Sequence, residues 1–185
     1  MKKATITGEL PGGFIGDLGQ VYQGIVEGSE VALKISRHAG EYKREAWEKE
    51  LRISKELSIL LPDTTARYFE MVEVEGFEKF PAFSMEVVRG YTVIDRNIGC
   101  LQGRAYHTVV NENTVEQLRS SLEKAVSLGW HPGDVQYFIL AEDQVLNGRP
   151  HVKGDLILFD FSMWGIDSDG DVDLYVRKLE RLVGG

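Results

Sequence analysis

The stretch GDLGQVYQG at residues 16 to 24, followed at 31 to 36 by VALKIS, constrains the fold more than any other part of the chain. Gly16, Gly19 and Gly24 punctuate an apolar run that carries Val21, Tyr22 and Ile25. Glycine tolerates positive φ and leaves the backbone open, so such a run reads as strand broken by tight turns. With EGS at 27 to 29 as the turn, residues 13 to 25 and 30 to 36 form a hairpin. Taken alone, the glycines fit either an open loop around anionic oxygens or two ordinary strands.

The rest of the order follows from periodicity and punctuation. From about Gly40 to Leu60 the pattern is helical, with Tyr42, Ala46, Ile53 and Leu57 near one face and Pro62 as the stop. RYFEMVEVE at 67 to 75 and FPAFSMEVVR at 80 to 89 read as strands joined at GFEK. The stretch 90 to 110 is ambiguous. Thr114 with Gln117 marks a capping-box start for a helix whose face is Leu118, Leu122, Ala125 and Val126, ending near Gly129. HPGD, the run YFIL, a polar hairpin around NGRP, the run LILF ending at Asp160, and a helix over 172 to 183 complete the chain. The expected class is α+β, with a β-rich part at 1–89, a second part at 90–185, and a seam near 88 to 92.

Composition narrows the function classes. At 185 residues the chain is long enough for one domain with a core or two small lobes around a cleft. A net charge of −8 argues against a nucleic-acid binder that works by neutralising phosphates. No apolar run is long enough for a membrane span, and MKKATITGELPGG has no apolar stretch of the signal-peptide kind. A single cysteine, Cys100, forbids an internal disulfide, so a reducing, cytoplasmic setting is expected. His38, His107 and His151 show no ligand spacing. DSDGDVD at 167 to 173 lacks the glycine placement and distal glutamate of a calcium loop, and Asp171 or Asp173 is expected to cap the last helix.

Five segments in this order, with a linker segment as added support, resemble the protein-kinase-like family. Gly16, Gly19 and Val21 match the second half of its glycine-rich loop, with Phe14 where the first glycine stands and Gly12 and Gly13 upstream. Val31-Ala32-Leu33-Lys34 matches the strand that carries the phosphate-binding lysine. Glu50, seven residues before Leu57, matches the glutamate that pairs with that lysine, with Glu45, Glu48 and Glu56 as rivals. HPGDVQYFIL resembles the catalytic loop, with Asp134 as the group that meets the acceptor hydroxyl. Asp160-Phe161-Ser162 resembles the metal-binding D-F-G turn, and FSMEVVRG the linker between lobes.

The resemblance implies a two-lobed kinase fold, with ATP and Mg²⁺ as cofactors. It implies Lys34 on the phosphates, Glu50 on Lys34, and Asp134 as the catalytic carboxylate. It places Gly16, Gly19, Val21, Ala32, Met85 and the backbone of Glu86 to Val88 around the nucleotide. Asp160 and Gln136 would hold the metal. The departures are Pro132 in the family's histidine position, with His131 one residue further back, and Ile139 where the second metal-binding residue, an asparagine, belongs. EDQVLNGRPHVKGD fills the gap between the two aspartates as a hairpin insertion. No A-P-E-like segment follows Asp160, so the likeness is to minimal kinases of the bacterial-effector type. Loop phosphorylation is not expected to control such a chain, whereas a protein partner is expected to activate it. The acceptor is a protein serine or threonine, or a small molecule. Two other readings stand beside this one: a pseudokinase acting as a nucleotide- or partner-binding module, and an unrelated α+β binding domain.

Overall fold

Period-two alternation builds the first half of the protein into a closed barrel. The computed structural model describes residues 1–10, 19–94, 111–133, 135–165 and 171–183. Strands β1 (Lys2–Glu9), β2 (Gly19–Val26), β3 (Ser29–Ser36), β4 (Tyr68–Val74) and β5 (Ala82–Met85) close in the order β1-β2-β3-β5-β4. Closure depends on the one parallel pairing, in which Lys2, Lys3 and Ala4 of β1 lie beside Val72, Glu73 and Val74 of β4. Strand β1 is an element that the sequence reading lacked, as is the strand at Gly90–Ile94 in the stretch left ambiguous: KKATITGE is polar along one side, and its pairing comes in part from a strand far along the chain.

The barrel interior is mainly apolar. Ala4, Val26, Val31, Leu33, Ile35, Val72, Val74 and Ala82 fill it. The β2–β3 turn has positive φ at both Glu27 and Gly28, the backbone of a two-residue hairpin matched to strand twist. It sets Val21 opposite Lys34.

Helix α1 (Glu41–Leu60) stops before Pro62. Its buried face is Trp47, Glu50, Leu51, Ile53, Ser54, Leu57 and Ser58. Tyr42 and Ala46, expected on that face, are exposed. An apolar periodicity misplaced the stripe because the inner face of this helix is partly polar.

The second half is a three-stranded antiparallel sheet of order β10-β7-β6, from β6 (Gly90–Ile94), β7 (Gln136–Leu140) and β10 (Leu156–Phe159). The hairpin β8 (Gln144–Leu146) and β9 (Arg149–His151) pairs as a separate two-stranded sheet. Helix α2 (Glu112–Ser127) begins at Asn111, whose side chain accepts from the Thr114 amide while Thr114 Oγ1 accepts from the Asn111 amide. The capping box is thus three residues earlier than Thr114–Gln117. Gln117 instead grips β10, accepting from Leu156 N and donating to Asp155 Oδ1, both at 2.8 Å. Helix α3 (Val172–Val183) starts under Asp171, which accepts from Leu174 N.

The fold is therefore mixed α+β. Every barrel strand lies before Gly90, and the strands of the second sheet run from Gly90 onward. One apolar cluster crosses that boundary, running from Val21, Ala32 and Phe83 through Leu57 to Leu122, Ile139, Leu158 and Val176. Among the described residues, no helix is long and apolar enough to cross a membrane.

Candidate functional site

Alternation along β3 decides which side chains reach the site. Val31, Leu33 and Ile35 point into the barrel, so Ala32 and Lys34 point the other way, toward α1 and the second sheet. Lys34 Nζ lies 2.5 Å from Glu50 Oε1 and 3.1 Å from Asp160 Oδ1. The same ammonium sits 5.6 Å from the Trp47 ring and 5.9 Å from that of Phe83. Three segments far apart in sequence thus meet at one buried cation.

Local structure explains each approach. Glu50 is on the inner face of α1, one turn beyond Trp47, and only 4% exposed; Glu45, Glu48 and Glu56 face solvent. Asp160 follows β10 in a left-handed conformation, φ 55 and ψ 67, and aspartate is one of the few non-glycine types that enters it readily. Ser162 donates to Asp160 Oδ1 at 2.9 Å.

Burial alone would raise the Asp160 carboxyl, but the Lys34 ammonium and hydrogen bonds from Lys34 and Ser162 hold it below 3.8. Burial also raises Glu50, more than Lys34 can lower it, and with Asp160 nearby its carboxyl is pushed up to about 7. Burial opposes the charge on Lys34, yet the two carboxylates outweigh it and the amine is held above 10.5. Burial and the same two carboxylates push the Tyr68 phenol well above its usual range. With both acids ionised the cluster carries one positive and two negative charges, a surplus of one negative charge in a desolvated place.

A narrow cleft opens beside the cluster, lined by Val21, Tyr68, Met85, Phe138 and Phe159 with the three charged groups. Its cavity measures about 10 Å³, room for a single water. Phe138 and Phe159 form its floor with ring centroids 4.4 Å apart.

Of the expected nucleotide contacts, some line this cleft, whereas Glu86 and Val87 line a separate pocket. Val21 and Met85 line the cleft, and buried Ala32 pairs with Met85 across the β3–β5 ladder. Gly19 is buried at the start of β2, where a Cβ would lie 3.0 Å from the Trp47 ring, so the two are closely packed. Glu86 to Val88 form the irregular link between β5 and β6, with Val88 buried and the Glu86 amide donating to Arg67 O. Gln136 is buried at the head of β7, opposite Phe159, the residue that precedes Asp160.

Gly16, Asp134, His107 and Cys100 lie outside the described residues. The neighbours of Asp134 do not. His131 exchanges two backbone hydrogen bonds with Gly165, and Gln136 pairs with Phe159, so the chain on either side of Asp134 runs beside the chain that carries Asp160.

Trp47, Tyr68, Phe138, Phe159 and Ser162 were not singled out in the sequence as site residues. Trp47 was legible as the aromatic one turn before Glu50, and Phe138 and Phe159 as alternate positions of two short strands. Nothing local marks Tyr68. Among the described residues, no group of three or more histidine, cysteine or acidic side chains is placed to hold a metal ion by itself. Compared with models of protein families and with curated protein sequences, the chain matches none.

Proposed function

We propose that the protein is an ATP- and Mg²⁺-dependent phosphotransferase of the kinase-like kind, passing the γ-phosphate to a serine or threonine hydroxyl of a protein. One observation carries this reading. Lys34, Glu50 and Asp160, each singled out in the sequence for a distinct kinase role, converge within hydrogen-bonding reach of one ammonium. In this reading Lys34 meets the phosphates and Glu50 fixes the lysine, since a flexible ammonium must be held where the oxygens will be. Asp134 orients the acceptor hydroxyl and accepts its proton.

The residues present suit a divalent cation. Asp160 is a carboxylate lining the cleft, and with both acids ionised the cluster has a negative surplus that such an ion would offset. Asp160 and Gln136 are the side chains that would hold it. Bound Mg²⁺ neutralises charge on the phosphate oxygens. Val21, Ala32 and Met85 supply an apolar ceiling for a base, and Phe138 and Phe159 the floor. A nucleotide needs far more room than the present cavity, so binding requires the barrel and the second sheet to part.

A second reading has its own support. Ile139, fully buried in β7, stands where the family's metal-binding asparagine belongs, which favours a module that binds nucleotide without transferring phosphate.

Calorimetry with ATP, with and without Mg²⁺, tests both. Magnesium-dependent binding is expected, weakened about 10- to 100-fold by Lys34→Met and by Asp160→Asn, the loss of one charge-assisted contact each. Glu45→Gln, on the exposed face of α1, leaves it unchanged. Loss of phosphate transfer in Asp134→Ala with binding intact supports the enzyme, and magnesium-independent binding indifferent to Asp160 supports the module. Absence of any nucleotide binding would overturn both.

A further inference from the structure

The β8–β9 hairpin was read from the sequence as a spacer, yet its turn is wedged between two parts that frame the site. Asn147 and Gly148 both have positive φ, 50 and 75, so the turn is the two-residue type that only glycine, asparagine and aspartate enter readily. The Asn147 amide N–H donates to Glu86 Oε2 at 2.7 Å, and its side-chain Nδ2 donates to Ser58 O at 2.8 Å. Glu86 belongs to the β5–β6 link and Ser58 to the last turn of α1.

Each end of this contact meets a need. The last four carbonyls of a helix have no partner within it, and α1 has no basic residue in its last turn to meet its negative end. Leu61 N reaches Leu57 O, and Asn147 supplies the donor for Ser58 O. Of the three residue types suited to the turn, glycine has no donor there and aspartate would bring a negative charge to a negative helix end. Glu86 Oε2 also accepts from Arg67 N at 2.7 Å while the Glu86 amide donates to Arg67 O, so one carboxylate ties the link, the head of β4 and the hairpin together. Leu146, next to the turn, is buried in the cluster that holds Val88, Phe138 and Phe159.

We propose that the β8–β9 turn is a built-in brace for α1, with Asn147 and Glu86 as positioning residues that hold the helix against the β5–β6 link and so keep Glu50 on Lys34. A brace of this kind fixes the lysine–glutamate pair through contacts within the fold. Its placement of the pair stands on the contacts alone; its consequence for catalysis rests on the phosphotransferase reading.

The test uses the full chain without nucleotide, so the two readings fail separately. Hydrogen exchange is followed in α1, and acylation of Lys34 by an amine reagent is followed by peptide mass spectrometry. Asn147→Gly keeps the turn and the bond to Glu86 but removes the donor to Ser58. It should speed exchange at residues 57 to 61 about three- to tenfold, the worth of one hydrogen bond, and raise Lys34 labelling by a similar factor. Exchange in α2 and labelling of Lys2 and Lys3 should stay as in wild type, which separates a moved helix from general loosening. Glu86→Ala should act like Asn147→Gly, and Glu86→Gln, which keeps an acceptor oxygen, should restore wild-type behaviour. Val145→Ser, exposed in the same hairpin, should change nothing. Wild-type exchange at the end of α1 and wild-type Lys34 labelling in Asn147→Gly would overturn the brace.

Discussion

The two faces of β3 present opposite solutions to burial. On the barrel side, Val31, Leu33 and Ile35 sit in a mainly apolar interior, where each contributes in proportion to the area it hides. On the cleft side, Lys34 is 8% exposed and surrounded by two carboxylates, where each charge costs hydration that only its partners return. Adjacent residues of one strand thus have opposite energetic signs. Stability explains the first face. It does not explain the second, since well-packed apolar residues of like volume are often as stable as a buried ion pair or more so.

The largest effect separates these faces by how a second substitution behaves. Lys34→Met leaves Glu50 and Asp160 buried without their cation and should cost about 3–5 kcal/mol in urea unfolding near neutral pH. Adding Glu50→Leu should return most of that loss, because the double variant buries less unmatched charge. Leu33→Ala should cost about 3 kcal/mol through its cavity, and the same Glu50→Leu should merely add to it. If the Lys34 and Glu50 substitutions are additive, the cleft face is ordinary core.

The next effect concerns pH. Glu50 has a folded value of about 7 against an ordinary 4.5, so between those pH values the folded chain keeps a proton that the unfolded chain has lost. Stability conferred by this group is full below 4.5 and falls as pH rises through about 7. Asp160 works in the opposite sense: its contribution is present above 3.8 and is lost as pH falls through its lower folded value. Glu50→Gln should therefore flatten the decline in urea midpoint from pH 4.5 to 7 and leave the acid limb in place. An unchanged decline in that variant would assign it to another group.

How much of this was legible in the sequence follows from the same contrast. The hairpin of β2 and β3, the strands at 68–74 and 82–85, strands β7 and β10 of the second sheet and all three α-helices follow from periodicity and glycine or proline punctuation, which are local. Strand β1 was not legible, because it pairs with β2 and with β4, the latter far along the chain. On α1 the apolar pattern pointed to Tyr42 and Ala46, whereas the helix turns Glu50 and Ser54 inward beside Trp47. Polar residues on a buried face defeat a rule built on apolar spacing, and they did so where the candidate site lies. Lys34, Glu50 and Asp160 were found by motif order instead, while Tyr68 and Asn147 needed three dimensions.

The smallest effect compares two glycines of β2, one on each face. A Cβ on Gly24 would lie 2.3 Å from Leu33 Cδ1 and 2.8 Å from Thr5 O, inside the closed barrel. On Gly19 it would lie 3.0 Å from Trp47 Cζ2 and 3.1 Å from Ile35 O. Neither has the positive φ that would add backbone strain, so crowding decides. Gly24→Ala should cost about 1–3 kcal/mol, because the barrel cannot widen on one side without disturbing its closing pairs. Gly19→Ala should cost less than about 1 kcal/mol, since the indole need yield only a few tenths of an ångström and alanine restricts the unfolded chain. Its effect should appear instead in the cleft, as a shift in Trp47 emission, because that ring lies against Lys34. Equal thermal shifts for the two variants would mean that the cleft face is packed as rigidly as the barrel, and that it does not open for a ligand.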